Sequence, residues 1–362
     1  MMTWLMLAAG LVLLVFGADY LVKGAARLAG AFGIPSLVIG LTVVAFGTSA
    51  PELAVSVKAA WTGQAELAIA NVVGSNIFNV LFILGLAALI MPLVISKQLI
   101  RQDVPLMIVA SIVVAWMAQD GQLERAEAAV LFVGLISYTV FLFVQGKKQG
   151  VTDSGDEEVE AMLKESHPMW QNILLVVGGL ALLVLGARWL VGSAVELATA
   201  WGVSEAVIGL TIVAAGTSLP EVMTSVIATI KGERDIAVGN VVGSNIFNIL
   251  CVLGLSGLIS PTPLAASAQL ATLDIPVMLA VAVLCLPLFF VGATLTRFEG
   301  LLFLIGYVGY TWLLIALALQ HNYLAQLQQA LLYGFVPFVA VYVLITLLLD
   351  LKKRVAQPQD LA

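Results

Sequence analysis

Charge, sulfur and imidazole are all scarce in this chain of 362 residues. Lysine and arginine number 16 and aspartate and glutamate 22, so charged residues make up only 10% of the sequence. A soluble domain carries about 25%, which excludes a water-solvated surface over the whole chain. The two cysteines, Cys251 and Cys285, both lie in apolar runs. A disulfide framework is excluded, and packing is the plain reading of each. The two histidines, His167 and His321, sit in connections and show no ligand pattern. Zinc and copper prefer sulfur or nitrogen ligands, and a serine nucleophile needs a base beside it. Neither requirement is met. The net charge of −6 comes largely from one loop and says nothing of nucleic acid.

Apolar residues are what the chain has instead. They form 61% of the sequence, and the mean hydropathy is +1.07. Apolar runs of about 20 residues, the length of a membrane helix, recur from end to end. Hydropathy breaks predict spans at 3–27, 34–60, 66–92, 103–119, 125–145, 171–198, 203–230, 235–259, 273–293, 298–319 and 329–350. The first has no basic flank or small-residue cleavage site, so it is expected to be a span rather than a removable signal. The one long polar stretch, within 146–170, holds an acidic run. It lacks the glycine-spaced ligands of a calcium loop, and a solvated linker is the default.

Basic residues predict the sidedness. With the N-terminus outside, the cytoplasmic ends hold Lys23, Arg27, Lys97, Arg101, Lys147, Lys148, Lys164, Lys231, Arg234, Arg297, Lys352, Lys353 and Arg354. Only Lys58, Arg125 and Arg188 fall elsewhere.

Residues 169 positions apart match throughout. GLTVVAFGTSAPELAVS (40–56) against GLTIVAAGTSLPEVMTS (209–225) gives 11 identities in 17, and ELAIANVVGSNIFN (66–79) against DIAVGNVVGSNIFN (235–248) gives 10 in 14. With small offsets, Asp103-Val-Pro meets Asp274-Ile-Pro, and Arg125, Glu127, Gly134 and Tyr138 meet Arg297, Glu299, Gly306 and Tyr310. The expected organisation is a first five-helix repeat (1–145), the acidic linker (146–170), a second repeat (171–320), an extra helix (329–350) and a basic tail (351–362). Five is odd, so the second copy enters the membrane from the opposite face. The expected fold is an all-α polytopic membrane protein of two inverted five-helix repeats plus one helix. Inverted repeats belong to secondary transporters, whose sites lie near the midplane on interrupted helices.

The doubled GTSxPE stretch fits an interruption. Pro51 and Pro220 each remove an amide donor, and irregular backbone survives at membrane depth only beside a polar cavity. On a helix Thr48, Ser49 and Glu52 share a face, with Ser56 a turn on; Thr217, Ser218, Glu221 and Ser225 repeat them. Asn71, Ser75 and Asn79, and again Asn240, Ser244 and Asn248, form stripes spaced four apart. A chamber of these side chains is all oxygen, the surrounding that hard cations such as calcium and sodium prefer. An ionised carboxylate at a helix centre costs roughly 2.5–3.5 kcal/mol on insertion scales. Two facing ones would also repel, and a divalent ion, two sodium ions or two protons would relieve both penalties. The bland reading is that small and polar residues at this spacing only pack helices. A proline-flanked glutamate, duplicated, argues against it. Asp19 and Arg188 are equivalent positions and are expected to form a structural ion pair near the membrane edge.

With those motifs the chain resembles the calcium/cation antiporter superfamily, in its prokaryotic sodium/calcium exchanger branch, over roughly residues 5–320. The resemblance implies two inverted five-helix halves, with spans 2, 3, 7 and 8 around the ions and spans 1 and 6 sliding across them. It implies calcium on Glu52, Glu221, Thr48 and Thr217. For sodium it implies Ser49, Ser75, Asn79, Ser218, Ser244 and Asn248, with backbone carbonyls from Ala45 and Ala214. Many relatives carry aspartate where this chain has Asn248, which leaves two carboxylates rather than three. The implied function is exchange of Ca2+ for Na+ across the cell membrane, with no cofactor and no obligate protein partner. Potassium-dependent or proton-coupled exchange are alternatives within the class, and a cation channel or an intramembrane enzyme using Ser49 or Ser218 lies outside it.

Overall fold

The computed structural model describes residues 2–149, 168–201 and 214–356. Among them, nine helices are long and apolar enough to cross a membrane, and a tenth span is a bent pair. The first half consists of α1 (Met2–Phe32), the bent pair α2 (Ser36–Thr48) and α3 (Ala50–Trp61), α4 (Ala65–Ile90), α5 (Leu99–Asp120) and α6 (Arg125–Lys148). The second half consists of α7 (Met169–Ala200), α8 (Leu219–Ile230), α9 (Arg234–Ile259), α10 (Leu270–Ala293) and α11 (Arg297–Ala318). A final helix, α12 (Leu324–Lys353), is apolar and packs few of its side chains inside. The ends agree with the hydropathy reading to within a few residues. Of span 203–230 only the part from 214 is described; most of the acidic linker and the end of the tail also lie outside the described residues.

The outer layer is one long helix pair. Gly10, Gly17 and Gly24 of α1 face Gly186, Gly179 and Val176 of α7, so the two helices run antiparallel. They are equivalent elements of the two repeats, and opposite direction is what inversion requires. Contact is by backbone: a Cβ on Gly179 would sit 2.6 Å from the Leu21 amide nitrogen and 2.7 Å from the Gly17 carbonyl oxygen. Small residues allow such approach between membrane helices.

The inner layer is α4 and α9, with α9 buried along its whole apolar window. Both halves fasten to it with the same devices. Two short antiparallel pairings link the halves, β1 (Leu93–Val94) with β4 (Thr294–Leu295) and β2 (Gln122–Leu123) with β3 (Leu264–Ala265). Arg125 donates to the Ser260 carbonyl at 2.7 Å at the end of α9, and Arg297 to the Ile90 carbonyl at 3.2 Å at the end of α4. Tyr138 donates to Asp103 at 2.9 Å and Gln98 to its other oxygen at 3.2 Å; Tyr310 and Gln269 hold Asp274 at 2.7 and 3.3 Å. These are the duplicated aspartates, arginines and tyrosines of the sequence repeat. Cys251 and Cys285 are buried free thiols.

The expected Asp19–Arg188 pair does not form. The α1–α7 crossing sets Gly10 against Gly186, so Arg188 lies near the start of α1, far from Asp19. Asp19 instead pairs with Lys23 one turn on, at 3.1 Å, and with Lys231 at the end of α8. Equivalence by sequence offset does not bring mates together when one copy is inverted.

Gly179→Ala should cost about 1–3 kcal/mol, the usual range for overpacking. Gly178→Ala, where no described atom lies within 4 Å of the added carbon, should be near neutral. Thermal unfolding of the two variants in detergent checks the difference.

Candidate functional site

Ser49 breaks the second span. Its φ of −81° and ψ of 7° leave the helical region, Pro51 follows at the start of α3, and the two parts meet at 48°. Ser218 does the same before α8, with φ −87° and ψ 9° and Pro220 behind it. The break changes the geometry expected from an unbroken helix. Thr48 and Ser49 belong to the turn before it, and Glu52 to the first turn after it. Each glutamate therefore sits at the positive end of a half-helix, where a carboxylate is stabilised. Glu52 and Glu221 are both fully buried, 0% exposed.

The hydroxyls reach across to the other half. Ser49 Oγ donates to Glu221 Oε1 at 2.9 Å, and Ser218 Oγ donates to Glu52 Oε1 at 2.7 Å. Ser75 Oγ lies 3.3 Å from Ser218 Oγ. Thr48 Oγ1 donates to Asn240 Oδ1 at 3.0 Å. Behind each glutamate an asparagine braces its helix: Asn71 donates to Ser56 Oγ at 2.9 Å and to the Glu52 carbonyl at 3.3 Å, and Asn240 repeats this on Ser225 at 3.0 Å and the Glu221 carbonyl at 3.4 Å. Hydrogen bonds to charged groups contribute about 1.5–3 kcal/mol each.

A second lattice joins α4 to α9. Asn76 and Asn245 donate to one another's backbone carbonyls at 3.2 and 3.3 Å. Asn79 Nδ2 donates to Asn245 Oδ1 at 3.0 Å, and Asn248 Nδ2 to Asn76 Oδ1 at 3.1 Å. All four amide nitrogens are thereby committed, the Asn76 and Asn245 oxygens accept within the lattice, and the Asn79 and Asn248 oxygens are left without a partner. A π-helical turn begins at both Asn79 and Asn248, a distortion frequent at functional sites.

Among the residues named from sequence, six buried oxygens have no hydrogen-bond partner: Glu52 Oε2, Glu221 Oε2, Asn79 Oδ1, Asn248 Oδ1, Thr217 Oγ1 and Ser244 Oγ. An unpartnered buried polar group costs about 1–3 kcal/mol, so these oxygens, two of them on fully buried carboxylates, suit a ligand that accepts oxygen lone pairs. Among the described residues no three His, Cys, Asp or Glu side chains gather as a metal cluster. The set is two carboxylates with neutral oxygens, the surrounding of a hard cation.

Of the residues named from sequence, Glu52, Glu221, Thr48, Ser49, Ser75 and Ser218 take part in the hydrogen bonds around the two glutamates, and Asn79 and Asn248 in the lattice between α4 and α9. Thr217 and Ser244 contribute unpartnered hydroxyls. The Ala45 carbonyl accepts the Ser49 amide at 3.0 Å, closing α2 rather than standing free. Ala214 opens the short turn Ala214–Gly216, and the chain before it lies outside the described residues. The four-residue stripes missed Asn76 and Asn245, which stand one position off them. Their signal was their place in the doubled GSNIFN.

Residues 2–144 and 171–316 match the family described as sodium/calcium exchanger protein. The chain belongs to the sodium/calcium exchanger family. It is 34% identical over 346 residues to the sodium/calcium exchanger MaX1 of Methanosarcina acetivorans, covering 85% of this chain and 97% of that one. It is 42% identical over 285 residues to the inner membrane protein YrbG of Escherichia coli, covering 77% and 86%. The solved sodium–calcium exchanger NCX_Mj superposes with a TM-score of 0.73 at 31% identity, over 88% of this chain and 99% of that one. Like its exchanger relatives, this member of the prokaryotic calcium/cation antiporters is a transporter and not an enzyme, and sodium and calcium are the ions of its family.

Ser49→Ala and Ser218→Ala each remove a hydroxyl that donates across the halves to a buried carboxylate. Both should weaken calcium uptake by about tenfold or more, the equivalent of ~1.4 kcal/mol, and by similar amounts because the two bonds are mates. Radioactive calcium uptake into membrane vesicles against calcium concentration is the measurement.

Proposed function

We propose that the protein is a secondary antiporter that moves Ca2+ outward against inward Na+, by alternating access at one midplane chamber. Calcium would bind Glu52, Glu221, Thr48 and Thr217. Sodium would take the oxygens of Ser49, Ser75, Asn79, Ser218, Ser244 and Asn248, with the Ala45 and Ala214 carbonyls. The observation that carries this reading is the pair of fully buried carboxylates, each held through one oxygen by the opposite half while the other has no partner. A site that either one divalent or several monovalent ions can neutralise is the physical basis of exchange. With neither bound, two adjacent charges at membrane depth resist enclosure, and this couples the two fluxes. The glycine-tight pair α1 and α7 would slide over the core to change the chamber's exposure. The chain would reside in the cell's inner membrane with its N-terminus outside, organised as repeats 1–145 and 171–320 around the linker 146–170.

Calcium uptake into vesicles should rise with an opposing sodium gradient. Uptake indifferent to sodium and driven by a proton gradient would replace sodium by protons in this scheme; unitary currents without a counter-ion would replace exchange by a channel. Glu52→Gln and Glu221→Gln should each lower exchange at least about tenfold while the protein remains inserted. Wild-type rates in both would remove the carboxylates from the site.

The orientation has its own test. A cysteine introduced at Lys147 should be alkylated by an impermeant reagent only after the cytoplasmic face is opened. Labelling of intact cells would reverse the sidedness.

A further inference from the structure

Arg188 is the mate of Asp19 by the 169-residue offset, yet the two differ in company. Asp19 has Lys23 and Lys231, whereas Arg188 makes no hydrogen bond or ion pair among the described residues. It stands at the rim of a lateral groove of about 430 Å3 between α7 and the broken second span. The groove's other walls are apolar: Leu180 and Val184 of α7 face Phe46, Gly47 and Ala50. Phe46 is 56% exposed, so the groove opens sideways, to the bilayer in a chain of this kind.

A guanidinium on a membrane helix is costly unless it is paired or reaches an interface. Here the cation caps an apolar channel. From Leu180 to Arg188 the helix rises about 12 Å, enough to lay a length of hydrocarbon along it. We propose that the groove is a binding site for an anionic glycerophospholipid. The phosphate would take the guanidinium fork, which suits its geometry. One acyl chain would lie along Leu180 and Val184 against Phe46. A free phosphate would satisfy the arginine but leave the apolar walls uncovered. A zwitterionic lipid would fill the walls while its own cation competed for the phosphate.

The place is mechanically pointed. Gly47 and Ala50 stand on either side of the break at Ser49, and a Cβ at Gly47 would lie 2.6 Å from the Leu180 side chain. A chain bound there touches both the long outer helix and the hinge of the ion-binding span. The site does not depend on which ions are exchanged.

The test is native mass spectrometry of the delipidated protein titrated with phosphatidylglycerol, phosphatidylcholine or glycerol 3-phosphate. Wild type should retain one phosphatidylglycerol in preference to phosphatidylcholine and should not hold glycerol 3-phosphate. Arg188→Gln should lower phosphatidylglycerol retention about tenfold, and Val184→Trp, which fills the groove and spares the charge, should do the same. Both variants should still exchange ions in phosphatidylcholine vesicles, which separates this site from the ion chamber. Equal retention of the two lipids by wild type, or unchanged retention by both variants, would overturn the proposal. So would binding of glycerol 3-phosphate as strong as that of the lipid.

Discussion

Two carboxylates buried side by side at membrane depth set the terms for everything around them. Each half lends a serine hydroxyl to the other half's acid. The serine beside Glu52 serves Glu221, and the serine beside Glu221 serves Glu52. This reciprocity means that the site exists only when the two repeats are docked. It also explains why the spans break. A proline after the serine ends one helical segment and begins another, and the new first turn offers its dipole to the glutamate. An unbroken helix would place the same carboxylate mid-helix with no such help.

The rest of the molecule keeps those halves in register. The asparagine lattice locks α4 to α9 and commits the Asn79 and Asn248 amide nitrogens, which leaves the oxygens of those two side chains without a partner. The crossed strand pairs and the two arginine caps tie each half to the other's helix ends. The outer pair α1 and α7 meets at its glycines, which lie against backbone and the near ends of aliphatic side chains such as Leu13, Val176 and Leu182. Firm joints lie inside and a smooth one outside. That division suits a transporter in which something must move without disturbing the site.

Most of this frame was legible in the sequence, because membrane spans announce themselves by length and apolarity, and a repeat announces itself by identity at a fixed offset. The glutamates were legible because a charge in an apolar run has few explanations. Other features resisted for stated reasons. The stripe of residues spaced four apart assumes an unbroken helix. It therefore put Thr48, Ser49 and Glu52 on one face, when the bend at Ser49 turns the hydroxyls to the opposite half. Asn76 and Asn245 stand off the stripe, and their importance comes from the crossing of two helices that sequence does not reveal. The strand pairs are two residues long, too short for any alternation to register. Asp19 and Arg188 were matched by offset alone, and inversion sends such mates to opposite ends of the antiparallel crossing.

The tether from Asp19 to Lys231 has no counterpart across the pseudo-symmetry. The equivalent positions are Arg188 and Thr62, and no ion pair can form between an arginine and a threonine. A carrier assembled from matched copies would, by symmetry alone, rest equally often open to either side. Here the Asp19–Lys231 pair forms in the structure, and its symmetry mate cannot form. A partly exposed pair is worth up to about 1 kcal/mol, which skews a two-state balance by up to about fivefold. In the proposed alternating-access cycle, divergence at a single pair of rim positions would give an otherwise even-handed machine a preferred idle posture, and with it a difference between its forward and return strokes.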